Sequence, residues 1–393
     1  MQLESRQRGL LQLLWSTGPL SRFELAERTG IRPNTIGSDT AALLDAGILR
    51  ERPALRPVRG RPRTPLEIDP SRRNVVGLAI RVGGVQACRL NLLGQPVSEI
   101  EARTAASGDE ILAASCELLR SHTDKHTLAI GLTTPGLVDP SHHSILFSFL
   151  TPATGGAAAS AATAGISLQK IYDCAGDRPM VLENDMHALA ARWLLTHLAE
   201  QQEDVLLIYF SDGELGAALL IGGKPNRGCV TGANELGHTR LPVETEKCFC
   251  GEKGCLERIC STPFLRGGRG KAGTLVQRAA AMEKGDAQVR RMVDLLGMGF
   301  GNAVNFIRPN RLVLVSELTQ HPAFTEALIE RIRHYMLHNL VQYVKVDLWD
   351  QSGARPAESA GWLALASIYF KGWARDVNFN GAETISPLRR ALA

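Results

Sequence analysis

The sequence predicts an α/β protein with a small helical domain at its N-terminus. Residues 1–73 combine closely spaced leucines with a basic charge, whereas from Val75 onward short apolar runs alternate with helical segments. Strands that alternate with helices are typical of parallel or mixed sheets covered by helices on both faces. The length of 393 residues exceeds one ordinary core and favours two or three domains.

The composition is that of a soluble globular protein. Hydrophobic residues make up 44% of the chain and charged residues 21%, and no run is apolar enough to span a membrane. The first residues include Glu4 and lack the short apolar core of a secretory signal. We therefore expect a cytoplasmic protein without a membrane partner.

The basic charge is concentrated at the N-terminal end. Residues 1–73 contain 13 Arg, no Lys and 8 Asp or Glu, a net charge of +5, whereas the whole chain has +4. A basic end of this kind is a candidate nucleic-acid-binding region.

Three short helices are predicted in this region. Ser21 and Glu24 form a capping box that begins the second helix, Gly30 ends it, and Pro33 lies at the start of the third. A helix, a tight turn and a second helix make a helix-turn-helix, which presents the first residues of its second helix to the major groove. The residues expected to face DNA are Arg32, Asn34, Thr35 and Ser38. The alternative is a three-helix protein-binding module.

An Arg- and Pro-rich segment, ILRERPALRPVRGRPRTPLEID, follows the third helix. It is interpreted as a wing hairpin running into VRGRPR. We expect Arg59, Arg61 and Arg63 to contact phosphates or a narrow minor groove. The alternative for this segment is a solvated linker.

Three cysteines lie close together in CFCGEKGCLE at 248–257, behind a histidine in NELGH. His238, Cys248, Cys250 and Cys255 are separated by nine, one and four residues. One imidazole and three thiolates form a closed tetrahedral set suited to a structural zinc ion, unless the clustering is due to chance. The cysteines expected to be ordinary small apolar residues are Cys88, Cys116, Cys174, Cys229 and Cys260.

The segment GH-x9-C-x-C-G-x2-G-C-L-E resembles the signature of the ROK family, which contains bacterial sugar kinases and sugar-responsive repressors. TPGLVD, LENDMHALA and NELGH fit the same family, and the basic start with its GRPR turn resembles its repressor branch. The resemblance implies a winged helix-turn-helix followed by a two-lobed, actin-like (ribonuclease H-like) fold of the ATPase-type sugar kinases. The implied domains are residues 1–70 with the linker, a first lobe at 71–190, and a second lobe at 191–393 with the zinc site and C-terminal helices.

The resemblance also implies a sugar site. The corresponding positions are Asn184, Asp185, Glu235, His238 and Glu257. In the kinases the residue matching Asp185 is the general base, so here it is interpreted as a vestigial base. The zinc ion would fix one wall of the pocket, and His238 would serve both metal and sugar. The alternative is a helix cap at Asn184 and Asp185, with Glu235 and Glu257 as surface residues.

The positions that bind ATP phosphates in the kinases are altered in this chain. Asp212 and Glu214 occupy the second phosphate loop, where two carboxylates would repel a polyphosphate. The altered positions elsewhere are Ala79, Arg81 and Gly83 in the first loop and Val315, Ser316 and Glu317 at the adenosine side. We therefore expect no kinase activity.

The sequence thus predicts a DNA-binding regulator, most simply a repressor, whose kinase-derived domain binds a sugar without phosphorylating it. Its expected partners are a double-stranded DNA operator and a sugar. A homodimer or dimer of dimers is expected from helix-turn-helix geometry and the resemblance, and a sugar-transport protein stays open as a further partner. The alternatives are an active hexose or N-acetylhexosamine kinase with an accessory DNA-binding domain, and a scaffold that binds neither DNA nor sugar.

Overall fold

The computed structural model describes residues 3–53, 63–148, 163–228, 234–266, 273–280, 282, 285–350 and 355–370. The helices in these residues are α1 (Ser5–Thr17), α2 (Arg22–Thr29), α3 (Pro33–Asp45), α4 (Gly108–His122), α5 (Gln169–Ala175), α6 (Asp185–Thr196), α7 (Leu256–Ile259), α8 (Thr262–Arg266), α9 (Leu275–Ala280), α10 (Ala287–Ile307), α11 (Pro322–Tyr335) and α12 (Pro356–Tyr369).

The strands in the same residues are β1 (Leu20–Ser21), β2 (Leu49–Glu51), β3 (Pro65–Ile68), β4 (Asn74–Arg81), β5 (Gly84–Asn91), β6 (Glu101–Thr104), β7 (Thr127–Thr134), β8 (Leu137–Asp139), β9 (Ser144–Ser148), β10 (Thr163–Ser167), β11 (Met180–Asn184), β12 (Val205–Ser211), β13 (Glu214–Ile221), β14 (Lys224–Pro225), β15 (Arg311–Val315) and β16 (Lys345–Leu348).

The N-terminal domain is a winged helix-turn-helix, as predicted. The Ser21 hydroxyl and the Glu24 side chain cap each other's backbone N–H groups, and Gly30 ends α2 with a φ of 68°. Strands β1, β3 and β2 form an antiparallel sheet with β3 in the middle, so β2 and β3 are the arms of the predicted wing. The wing residues 54–62, with Arg59 and Arg61, lie outside the described residues.

The first lobe contains a five-stranded sheet in the order β11-β7-β4-β5-β6. Strands β4, β7 and β11 are parallel, so their carboxyl ends meet at one edge, where Arg81, Thr134 and Asn184 lie. Ligand sites in open α/β sheets form at this edge. A small antiparallel sheet, β10-β9-β8, follows directly from the end of β7.

The second lobe contains a matching sheet in the order β14-β13-β12-β15-β16. Strands β12, β15 and β16 are parallel, and β13 returns antiparallel to β12 through a tight turn at Asp212 and Gly213. Helices α10 and α11 cover one face of this sheet. Helix α6 packs against the opposite face, so it lies between the two sheets.

Helix α12 packs on the first sheet, although it lies in the range predicted for the second lobe. It contacts β4, β7 and β5 on one side and α6 on another. Every residue from Ala357 to Tyr369 is buried, as expected for a helix enclosed on all sides. The predicted second lobe, residues 191–393, therefore includes a helix, α12, that packs on the sheet of the first lobe.

The structure also corrects the interpretation of two cysteines. Cys116 of α4 and Cys174 of α5 form a disulfide, whereas both were expected to be ordinary apolar residues. They lie 58 positions apart, a separation that gives no sign of pairing in the sequence. Among the residues that the structure describes, no helix has both the length and the apolar character needed to cross a membrane.

We expect Gly131→Ala to lower the free energy of unfolding by about 3 kcal/mol, because overpacking displaces well-packed backbone. A Cβ at this position would lie 1.8 Å from the carbonyl oxygen of Ala360 in α12. Urea denaturation measures the change. The control is Gly9→Ala in α1, where a Cβ meets nothing within 4 Å. Alanine favours a helix there, so this variant should not be destabilised. Equal stabilities for the two variants would contradict the packing of α12.

Candidate ligand site and metal centre

One wall of the candidate site is the corner between β11 and α6. Asn184 is the N-cap of α6: its side-chain oxygen accepts a hydrogen bond from the N–H of Met186 at 2.8 Å, and its amide donates to the carbonyl of Gly136 at 2.8 Å. This is the helix cap that the sequence left open as an alternative. It also fixes the position of Asp185, the next residue.

Asp185 lies at the first position of α6 and is partly buried. Burial raises the pKa of its carboxyl group above the ordinary value, and the charge of Glu214 adds to this. The N–H of Met186 and the charge of Arg81 act in the opposite direction. Arg81 and Glu214, at positions of the two predicted phosphate loops, thus shift the pKa of the predicted vestigial base in opposite directions.

The opposite wall is the segment NELGH, which is fixed against β13. The N–H of Asn234 donates to the carbonyl of Ala217 at 3.1 Å, and its side-chain oxygen accepts from Leu219 at 2.9 Å. Gly237 approaches β13 so closely that a Cβ would lie 2.3 Å from the carbonyl of Leu215. This packing positions Glu235 and His238 beside the first residues of β13.

Four of the five predicted sugar-binding residues form one group. His238 Nε2 lies 3.7 Å from a carboxylate oxygen of Glu235, and His238 Nδ1 lies 3.9 Å from a carboxylate oxygen of Glu257. Burial and the neighbouring charge of Asp185 raise the pKa of Glu235. The two walls of the cleft therefore lie close enough for their carboxylates to interact, while the role of these residues in sugar binding stays a prediction.

Glu257 is the most buried of these carboxylates, at 6% exposure. Burial raises its pKa to about 7, although Arg258 donates a hydrogen bond to it at 3.1 Å and opposes the shift. It lies in α7, directly after Cys255, so the same short segment supplies one ligand-site residue and one thiol.

The predicted metal ligands also lie together. The candidate ligand atoms of His238, Cys248, Cys250 and Cys255 are all within 4.8 Å of one another. Cys248 Sγ is 3.6 Å from His238 Nδ1, and Cys250 Sγ is 3.6 Å from Cys255 Sγ. Three sulfurs and one imidazole nitrogen at this spacing fit a tetrahedral metal ion.

The electrostatics of the four groups are consistent with a cation. Burial raises the pKa of the Cys248 and Cys255 thiols, so a compensating positive charge is needed to hold them as thiolates. Burial lowers the pKa of His238, which favours the neutral, metal-binding imidazole. His238 Nδ1 faces Cys248 and Nε2 faces Glu235, so the two nitrogens can serve different partners.

The backbone of this loop connects the metal site with the ligand site. Arg240 and Cys255 pair as an isolated bridge, and Leu241 and Gly254 are joined by a hydrogen bond of 2.8 Å. Gly254 has a φ of 82°, a conformation that glycine adopts readily. The loop thereby fixes His238 against the start of α7, which carries Glu257.

Two acidic residues at the altered nucleotide positions, Asp212 and Glu317, have hydrogen-bond partners within the second lobe. The Asp212 carboxylate accepts hydrogen bonds from the backbone N–H of Thr262, at 2.6 Å, and from its hydroxyl. Glu317 accepts from the hydroxyl of Ser211 at 3.2 Å. Asp212 therefore joins the β12–β13 turn to α8, a structural use that the sequence did not reveal.

Sequence reasoning also missed a buried ion pair beside the site. The Glu183 carboxylate contacts Arg227, which follows β14, and lies 3.0 Å from Nδ1 of the fully buried His187. Burial alone would raise the pKa of Glu183, but these two partners outweigh it and hold the pKa below its ordinary value. Glu183 immediately precedes Asn184, so the pair joins the two halves of the cleft. The only signal in the sequence was an acidic residue inside the segment LENDMHALA that resembles the family.

Four of the seven predicted DNA-binding residues lie in the first half of α3 or at its N-cap. Arg32, Asn34 and Ser38 are exposed, whereas Thr35 is partly buried and its carbonyl accepts a hydrogen bond from Ser38. The guanidinium of Arg63 lies 3.7 Å above the ring of Phe23 in α2. The exposed side chains thus form one face of the helix-turn-helix, beside the base of the wing.

A winged helix-turn-helix on a two-lobed domain of sugar-kinase type defines this class of protein. The family model described as "ROK family" matches residues 78–367, which is most of the chain. The chain belongs to the ROK family, as the sequence motifs predicted.

The family includes two kinds of similar protein. A curated "Xylose repressor" of Caldicellulosiruptor bescii is 22% identical over 80% of this chain and 82% of its own length. A curated "N-acetyl-D-glucosamine kinase" of Escherichia coli O1:K1 is 28% identical over 59% of this chain and 79% of its own.

The solved structures that are similar to this chain also include both a transcriptional regulator and a sugar kinase. A ROK family transcriptional regulator, described as a homologue of the E. coli MLC protein, covers 93% of this chain and 96% of its own with a TM-score of 0.74 at 20% identity. A ROK family glucokinase of Streptomyces griseus, in complex with glucose and AMPPNP, covers 74% of this chain and 99% of its own with a TM-score of 0.58 at 20% identity. The regulator shares the fold over the DNA-binding domain as well.

Proposed function

We propose that the chain is a sugar-responsive DNA-binding transcription regulator, most simply a repressor of genes for carbohydrate uptake or catabolism in the bacterial cytoplasm. The observation that carries this proposal is the presence, in one chain, of a helix-turn-helix with an exposed polar face and a kinase-type cleft whose predicted second phosphate loop carries two carboxylates, one of them, Asp212, hydrogen-bonded to Thr262. The similarity to a xylose repressor, and the likeness in fold to a ROK family transcriptional regulator, support the same proposal.

The cleft suits a sugar because it gathers hydrogen-bonding groups on rigid elements. Carboxylates and an imidazole can bind several hydroxyl groups at once. Asp185, Glu235, His238 and Glu257 supply these groups, and Asn184 positions the first of them. We propose that they bind a pyranose, with Asp185 accepting a hydrogen bond from one hydroxyl.

The same cleft is unsuited to phosphoryl transfer. That reaction depends on positioning a polyphosphate and neutralising its charge with Mg²⁺ and backbone N–H groups. Asp212 is hydrogen-bonded to Thr262, and Glu214 places a second carboxylate at the same turn. A polyphosphate at this turn would meet two like charges.

We further propose that the metal centre holds zinc with a structural role, because four protein ligands leave no open position. A dimer, or a dimer of dimers, would allow two recognition helices to read two half-sites of an operator. A sugar-transport protein stays open as an additional partner.

The decisive experiment is selection from a pool of randomised DNA duplexes with the full-length protein at moderate salt. We expect an inverted repeat, which would then serve as the probe for release by D-glucose, D-xylose and N-acetyl-D-glucosamine. Arg32→Ala and Asn34→Ala should each weaken binding about tenfold, because base contacts are worth roughly 1–3 kcal/mol. Arg333→Ala, an exposed charge on α11, is the control. Recovery of no sequence above background would contradict DNA recognition.

The zinc proposal has its own test. Metal analysis of the purified protein should give one zinc per chain, and Cys255→Ser should lose it and lower the melting temperature by roughly 5–10 °C. Cys260→Ser is the matched control, since Cys260 is equally buried and lies one turn away, outside the ligand set. Zinc loss in both variants, or in neither, would be inconsistent with the assigned ligands.

A second candidate is an active hexose or N-acetylhexosamine kinase. It is favoured by Asp185 at the position of the base and by the similar N-acetyl-D-glucosamine kinases. We expect no ADP release above background from Mg-ATP with any of the three sugars. Sugar-dependent ADP release that Asp185→Ala abolishes would establish the kinase instead.

A further inference from the structure

The DNA-binding domain is attached to the sensor by side chains of α1. Trp15 Nε1 donates a hydrogen bond to the carbonyl of Leu195 in the last turn of α6, at 2.9 Å. Arg8 Nη1 donates to the carbonyls of Ser367 and, at 2.9 Å, Ile368, and Gln12 donates to the carbonyl of Tyr369 at 2.6 Å. The last carbonyls of a helix lack intrahelical partners, so α1 caps the C-terminal ends of both α6 and α12.

Aromatic packing reinforces these caps. The Trp15 ring lies 6.0 Å from that of Trp362, edge to face, and 5.0 Å from that of Tyr369. Buried residues of α1, including Leu10, Leu11 and Leu14, belong to the same continuous core as α12, α6 and the facing side of the second sheet. The domain thus rests on the two helices that lie between the sheets.

Helix α6 joins this contact to the candidate sugar site. It begins with Asp185 and its cap Asn184, and Leu195, which accepts the Trp15 hydrogen bond, lies one residue before its end. A helix of 12 residues is about 18 Å long at 1.5 Å per residue, and it moves largely as a unit. A ligand that displaced the first turn of α6 would therefore also displace Leu195, whose carbonyl accepts the hydrogen bond from Trp15.

A second attachment lies on another side of the domain. Arg73 donates to the carbonyl of Ala46, at the end of α3, at 2.7 Å, and to the carbonyl of Lys125 in the first lobe at 3.1 Å. Beside it is a cavity of about 550 Å³, lined by Asp45 and Gly47 on the domain and by Asn91 and Asp124 on the sensor. This open space lies between the end of the recognition helix and the sensor.

We propose that Trp15 is the positioning residue through which a ligand at Asp185 sets the orientation of the DNA-binding domain, while Arg8 and Gln12 hold the same helix α1 against α12. The link consists of one helix, α6, anchored at both ends: by the Asn184 cap in the cleft and by the Trp15 indole N–H at the domain contact. The inference rests on the proposed function for its purpose, but its structural content is independent of any sugar or operator. Neither end of α6 can shift without changing the contacts of the other.

The experiment is hydrogen exchange followed by mass spectrometry on the full-length protein without sugar or DNA. Trp15→Phe removes the N–H and keeps a ring, and we expect exchange about 2- to 10-fold faster in the last turn of α6 and also in its first turn, at 185–188. Asp185→Asn, at the other end, should change exchange in α1. The control is Arg6→Met: Arg6 lies in α1, and its ion pairs among the described residues are with Glu4 and Asp39 of the same domain.

The outcomes separate this inference from the proposed function. Faster exchange confined to α1 and the last turn of α6 would overturn the coupling, even for a protein that binds DNA and sugar. Coupled exchange in a protein that selects no DNA would leave the link intact and refute the regulator. Where both hold, Trp15→Phe should reduce the ratio of DNA affinities measured with and without sugar by at least 3-fold, whereas Arg6→Met should leave this ratio unchanged. Circular dichroism melts establish that each variant is folded.

Discussion

The close approach of α12 to the first sheet is the contact on which the two-lobed arrangement depends. A Cβ at Gly77 would lie 1.9 Å from the carbonyl of Ala357, and a Cβ at Gly131 would meet Ala360 in the same way. Two adjacent parallel strands thus lack side chains where the helix backbone rests on them. The helix is consequently buried on every side, against the sheet, α6 and α1. This buried layer makes the C-terminal helix, distant in sequence, the support for both the sensor and the DNA-binding domain.

The two walls of the cleft differ in how they are held. The wall at His238 and Glu257 is fixed by the metal loop, by the Arg240–Cys255 bridge and by the close packing of Gly237 on β13. The wall at Asp185 is the first turn of α6, which packs on α12 and on the second sheet. Helices that pack through side chains shift by small translations, whereas a loop that holds a metal ion, as proposed for residues 238–255, would be far more constrained. A ligand that draws the walls together therefore moves α6 rather than the metal loop.

Much of the fold was predictable because its signals are local. Ser21, Glu24, Gly30 and Pro33 specify the helix-turn-helix through caps and turns within a few residues, and the structure confirms each of them. The candidate metal site was predictable for a similar reason: three of its four candidate ligands lie within eight positions, and glycines mark the turns between them. Asn184 was ambiguous, since the same residue type suits a helix cap and a sugar contact.

Contacts between distant segments gave no such signal. The placement of α12, the Cys116–Cys174 disulfide and the Glu183–Arg227 pair each depend on how separate elements pack, which no local pattern encodes. Asp212 was recognised as an unusual residue in the predicted phosphate loop, but its hydrogen-bond partner Thr262 lies 50 positions away. Each of these missed contacts joins two elements of the sensor, as the α1 side chains join the sensor to the DNA-binding domain.

A sugar can change DNA binding only if it binds one arrangement of α6 more tightly than another. The cleft offers a physical basis for such a preference. The charge of Asp185 on α6 raises the pKa of Glu235 on the other wall, so the two carboxylates repel each other. A sugar hydroxyl placed between two carboxylates can donate to one of them and relieve part of that repulsion, so a bound sugar favours the closer arrangement. The direction of the response at the operator then depends on which angle of the recognition helix accompanies that arrangement. On the proposed coupling, the caps on α6 and α12 would transmit the change in either direction, so the same link could serve a repressor or a sugar-dependent activator.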